Sequence, residues 1–176
     1  MEPIQRKGLP VKLTGVIVAV ALAAIVYATM YDSANEPQSF RGIQWGGSFQ
    51  DLSGLTLLAE DGDLKFYERA DDRMKLGDIP LEKIIYGFHK GRFYNVMMYY
   101  SSADNFARAK EVLSRQHGEP YQPVPSEKKL FWDADSLGVL LTFDDTSNTG
   151  RVTYIYKPIE NEMGGSAPQE GRGSGS

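Results

Sequence analysis

The sequence predicts an α+β domain: an antiparallel meander of about seven short strands with one amphipathic helix packed on it. Three observations carry that prediction. Apolar residues recur at helical spacing in only one long stretch, Ala103–His117. Elsewhere they cluster in runs of five to eight, separated by Gly, Asp and Asn turn signals. A nineteen-residue uncharged segment, Leu13–Tyr31, precedes all of this and belongs to neither pattern.

The N-terminal elements come first. Residues 1–12 are short and basic, with Arg6, Lys7 and Lys12 against Glu2. Sixteen of the nineteen residues in 13–31 are apolar, with no polar face. As a helix the segment would be roughly 28 Å long, close to the ~30 Å hydrocarbon core of a bilayer. Tyr27 and Tyr31 mark its C-terminal end, where amphipathic rings suit the membrane interface. The basic flank before it places the N-terminus in the cytoplasm and the domain across the membrane. This predicts a single-pass signal anchor in a bacterial inner membrane with a periplasmic domain. The alternative is a cleaved signal peptide, with a small-x-small site ending at Ala28, giving a free periplasmic protein. With no Cys in the chain, neither a lipid-bearing Cys nor a disulfide is possible.

Residues 32–39 are polar, contain Pro37 and read as a linker. The domain is predicted over 40–159. Ser48 caps an expected short helix to Leu52. Leu55–Glu60 and Leu64–Arg69 form a hairpin, with Asp61-Gly62 as its two-residue turn. Ile84–Phe88 and Phe93–Tyr100 form a second, joined around Lys90-Gly91. The helix Ala103–His117 is capped by Ser101 or Ser102, ended by Gly118 and barred from continuing by Pro120. Phe106, Ala109 and Leu113, with Val112 beside them, make its apolar face. Leu130–Trp132, Val139–Phe143 and Val152–Tyr156 close the domain as a three-strand meander. Residues 160–176 are rich in Gly and Ser and read as a disordered tail.

The run Gly42-Ile43-Gln44-Trp45-Gly46-Gly47-Ser48-x-x-Asp51-Leu52, with a helix ending Gly118-Glu119-Pro120 before a meander, resembles small exported Gram-negative envelope proteins of uncharacterised families. More distantly it is similar to the BamE and β-lactamase-inhibitor-protein type of module. That resemblance implies a non-enzymatic binding domain. The chain departs from the BamE lipoproteins in lacking their lipid-bearing Cys.

The chemistry-bearing residues point the same way. His89 lies beside a hairpin turn and His117 at a helix C-terminus, where a helix dipole favours it. No phosphate-binding loop, dinucleotide fingerprint, nucleophile elbow or zinc spacing occurs. The acidic clusters Glu60-Asp61-Gly62-Asp63, Asp71-Asp72, Asp133-x-Asp135 and Asp144-Asp145 all fall in predicted turns, where Asp bonds local backbone. Cofactor and metal sites are not expected. A net charge of −4 and scattered Lys and Arg argue against nucleic acid.

Aromatics are the one surplus, since eighteen of the twenty lie in 40–159. Strand alternation places Tyr94, Val96, Met98 and Tyr100 on one face, and Phe93, Asn95, Met97 and Tyr99 on the other. Tyr154 and Tyr156 share a face of the last strand. Sheet core is the plain reading of these residues. The sharper one makes Tyr94, Met98, Tyr100, Tyr154 and Tyr156 a surface for a partner. The functional expectation is a membrane-anchored, non-catalytic binding or assembly module for an envelope protein. A soluble periplasmic inhibitor or ligand-binding protein is the alternative, and a hydrolase using turn carboxylates is a third.

Overall fold

The computed structural model describes residues 37–48 and 53–164. The predicted membrane segment 13–31, the helix expected at 48–52 beyond Ser48, and tail residues 165–176 lie outside the described residues. The architecture is α+β. The strands are β1 (Ser39–Phe40), β2 (Ile43–Gln44), β3 (Leu55–Asp61), β4 (Leu64–Arg69), β5 (Lys75–Leu76), β6 (Ile79–Pro80), β7 (Lys83–His89), β8 (Arg92–Ser101), β9 (Lys129–Asp133), β10 (Leu137–Asp144) and β11 (Thr149–Tyr156). The helices are α1 (Ala103–His117) and α2 (Lys157–Glu162). Seven strands form one antiparallel sheet in the order β3-β4-β7-β8-β11-β10-β9, and the other four form two small ribbons.

Turn chemistry sets the hairpins. Lys90 and Gly91 both have positive φ, at 50° and 74°. That is the type I′ geometry whose twist matches paired strands. In the first hairpin Asp61 pairs with Leu64, so the turn residues are Gly62-Asp63, one position later than the sequence suggests. Gly62 has φ 56° and takes the first central position, where a type II′ turn requires Gly.

The register builds one front-face row across the whole sheet, buried from Tyr67 onward. Leu57, Tyr67, Tyr86, Val96, Tyr154, Val139 and Trp132 are successive cross-strand partners from edge to edge. Beside it run Ile84, Met98, Val152, Leu141 and Leu130. Helix α1 lays Ala109 and Leu113 on this front face, both fully buried. Ser102 caps the helix by accepting the Asn105 amide at 3.3 Å, and the Gly118 N–H closes it on the Ser114 carbonyl. The helix also carries the chain from central β8 to edge strand β9, so that β11 returns to pair with β8.

The front face is completed by the segment that carries the Trp45-Gly46-Gly47 run. Trp45 stacks on Phe93 with ring centroids 4.5 Å apart and planes 3° apart, and lies against Tyr154 and Tyr156. Gly46 and Gly47 let the backbone close on β8. Gly46 donates to the Phe93 carbonyl at 2.8 Å, and the Phe93 amide donates to Gly47 at 2.9 Å. The Trp-Gly-Gly motif is therefore a structural clasp. The domain also extends past residue 159, because α2 occupies Lys157–Glu162 and buries Ile159. Composition hid this helix: a single buried side chain in a polar stretch leaves almost no apolar signal.

The alternation expected for β8 needs one correction. Gly87 pairs with Asn95 but Phe88 pairs with Phe93, so Tyr94 is an extra residue in a β-bulge. The bulge returns Phe93 to the front face, where it joins the core with Val96, Met98 and Tyr100. Tyr94 is buried outside that cluster.

Candidate functional site

The residues singled out as a partner surface are mostly core. Met98 and Tyr100 are 0% exposed, Tyr154 is 6% and Tyr94 is 8%. Only Tyr156 is half-buried, and it faces Trp45. Their hydroxyls are used internally: Tyr100 donates to the Thr142 carbonyl at 3.0 Å, and Tyr154 meets His117 Nε2 at 3.3 Å. These residues present almost no area to a partner, because the front face is already covered by α1 and the Trp45 clasp. The aromatic surplus builds the core.

The turn carboxylates are dispersed. Asp144 accepts the Ser147 and Thr146 amides, which hold its carboxyl below the usual carboxylate range. Asp145 pairs with Lys128, and Asp133 with Lys157 at 2.9 Å. Glu162 is held low by Arg92, which it pairs with at the end of α2. His117 faces Tyr154 on the front side. His89 is buried at the end of β7. Among the described residues no three metal-ligating side chains gather.

Asp72 departs from the turn expectation. Its carboxylate, 5% exposed, pairs with Arg41 and accepts the Tyr86 hydroxyl, while Arg41 also donates to the Lys75 carbonyl at 2.8 Å. Burial, and then the Asp72 contact, push the Tyr86 hydroxyl well above its ordinary range. The triad ties the β1-β2 and β5-β6 ribbons to the core. Replacing Asp72 with Asn should cost about 2–4 kcal/mol, because it leaves Arg41 uncompensated in a largely desolvated site. Asp63→Asn is the control, since its pair with Lys90 is 3.8 Å long with both side chains more than 60% exposed, and should cost close to nothing. Urea midpoints of the two variants read the difference; equal midpoints would make Asp72 an ordinary turn residue.

The opposite, back face of the sheet is the surface that remains. Its middle row is Ile85, Met97, Thr153, Leu140 and Phe131, successive partners across β7, β8, β11, β10 and β9. Four of the five are half-buried large apolar residues. Phe66 and Ile155 flank the row on one side, in register with Gly87, Asn95 and Gly138. The short helix α2 holds only the end of this face, through Lys157 to Asp133 and Glu162 to Arg92. Helix α1 is on the other side. A side chain added at Gly138 would meet nothing within 4 Å. Next to it an apolar depression of about 370 Å³ is lined by Tyr121, Pro123, Phe131, Gly138 and Leu140, among others. Tyr121 there is 69% exposed. Simple alternation gave Met97 and Tyr99 to this face. The sequence did not reveal which of the two faces the single helix would leave bare.

No protein-family model matches the chain, and no curated protein sequence or solved structure is significantly similar to it.

Proposed function

We propose that the chain is a non-catalytic binding module of a bacterial envelope, tethered by residues 13–31, and that it docks a protein partner on the back face of its sheet. The apolar row Ile85, Met97, Leu140 and Phe131, which no helix among the described residues covers, carries the reading. A strand face with large apolar side chains and no covering layer gains stability when a second layer excludes water from it. Four such residues, with Thr153 among them, across roughly 19 Å of sheet are enough to seat one helix or a short strand pair. The nineteen uncharged residues before the domain supply the tether, and the basic N-terminal flank its orientation.

A photo-crosslinking residue tests the reading when placed at Met97 or Leu140 in the full chain, in intact envelopes. The control position is Glu111, exposed on α1. Adducts of one discrete mass are expected from positions 97 and 140 and not from 111. Leu140→Lys should abolish the adduct from position 97 while the melting temperature stays within a few degrees. Equal labelling from all three positions would refute back-face docking.

A further inference from the structure

The back face also carries a line of charge. The row beside the apolar one is Lys83, Tyr99, Arg151, Thr142 and Lys129, again successive cross-strand partners. Three of its five members are cations, on every second strand. Strands lie about 4.8 Å apart, so the three charges repeat at about 10 Å. None of them pairs with a carboxylate among the described residues. Lys128, Lys157 and Arg92, elsewhere on the sheet, each do. Arg151 instead leans over the Tyr99 ring at 5.9 Å, and Lys129 over Phe131 at 5.4 Å. The Arg151 Nε is buried with no hydrogen-bond partner. Asp144 lines one shallow depression together with Tyr99 and Arg151, and its Oδ1 accepts the Thr146 and Ser147 amides.

We infer that the partner segment is an acidic amphipathic helix, its apolar stripe on the Ile85–Phe131 row and its carboxylates on Lys83, Arg151 and Lys129. The inference rests on the proposed binding face and names what fills it. The two rows are two residues apart along each strand, or about 7 Å. A helix about 10 Å wide therefore covers both. Carboxylates seven residues apart on it repeat at about 10.5 Å, close to the spacing of the cations. A lipid headgroup would satisfy the charges as well. However, the apolar row ends in a concavity beside Tyr121, which suits an inserted side chain, whereas a bilayer contact needs apolar side chains that project.

The test uses the full chain in phosphatidylcholine nanodiscs with methyl-labelled Met. The probes are two fluorescent 18-residue peptides, one Leu/Glu and one Leu/Lys, with Leu on one helical face. The Leu/Glu peptide is expected to bind at least about tenfold tighter than the Leu/Lys peptide, with salt weakening it. It should shift the Met97 methyl signal and leave that of core Met98 in place. The triple variant Lys83→Glu, Arg151→Glu, Lys129→Glu should reverse the preference. Equal affinity for both peptides, or shifts confined elsewhere, would overturn the inference. So would Met97 shifts produced by phosphatidylglycerol nanodiscs without peptide, which would assign the face to lipid. If charge preference fails while crosslinks from positions 97 and 140 persist, the binding face stands and only its acidic partner falls. Loss of both removes the binding face itself.

Discussion

Replacing Gly150 with alanine is expected to destabilise the domain by about 3–4 kcal/mol, a large share of the ~5–15 kcal/mol that holds a domain of this size. Gly150 is the direct cross-strand partner of both Tyr100 and Phe143. The Tyr100 ring lies flat over it on the front face. A Cβ there would sit 2.2 Å from Tyr100 Cζ and 2.4 Å from its hydroxyl oxygen. The backbone of Gly150 is ordinary strand, so the requirement is for space. Tyr100 has no room to yield: it is 0% exposed, stacks near Phe143 at 6.4 Å and donates to the Thr142 carbonyl. Clearing the clash means expelling the ring and leaving that hydroxyl bond unmade. Tyr100→Ala alone should cost about 3–5 kcal/mol. The double variant should cost little more than Tyr100→Ala, since the methyl then enters the vacated space. Denaturant midpoints of the four proteins decide this. Additive losses, or a Gly150→Ala loss below about 0.5 kcal/mol, would show that Tyr100 is free to move.

Gly150 also marks the limit of what the sequence disclosed. It reads as the last residue of a turn, Asp145 to Gly150, and the turn residue with positive φ is in fact Asn148, at 53°. Only the pairing of β8 with β11 shows that Gly150 lies beneath Tyr100. Helix α1 was legible to the residue because cap, apolar period, Gly118 and Pro120 are all local signals. The seven strands of the main sheet were legible for the same reason, with ends that moved by at most three positions, whereas the two-residue strands β1, β2, β5 and β6 were not. Long-range pairings were not. Asp72 looked like turn chemistry because Arg41 is thirty-one residues away. The cation row was invisible because Lys83, Lys129 and Arg151 are scattered along the chain and converge only through strand order. The bulge at Tyr94 has no composition signature, and it shifted Phe93 from one face to the other.

The second large effect is on alkaline stability. Burial raises the hydroxyls of Tyr86, Tyr100 and Tyr154 far above the ordinary value near 10. Tyr94 is raised by burial and then by the Glu160 charge. In the folded state the first three keep their protons in alkali; in the unfolded chain they ionise near pH 10. Below about pH 10 both states hold the protons and these groups give no pH dependence. Above it the unfolded state binds fewer protons, so unfolding becomes easier as pH rises. Each group contributes about 1.4 kcal/mol per pH unit, and the three together about 4. A domain of ordinary stability should therefore unfold cooperatively within about two pH units above 10. Absorbance at 295 nm and far-UV circular dichroism, followed together, read the outcome. The buried three should ionise in the same step that loses the sheet signal. Tyr154→Phe should reduce the steepness from three protons to two. Smooth ionisation of every tyrosine near pH 10 with the sheet signal unchanged would mean that these rings are solvated. They would then be available to a partner, and the front face would compete with the back face as the docking surface. Cooperative ionisation ties them to the core, and leaves the row from Ile85 to Phe131 as the broad apolar surface on which a partner can act.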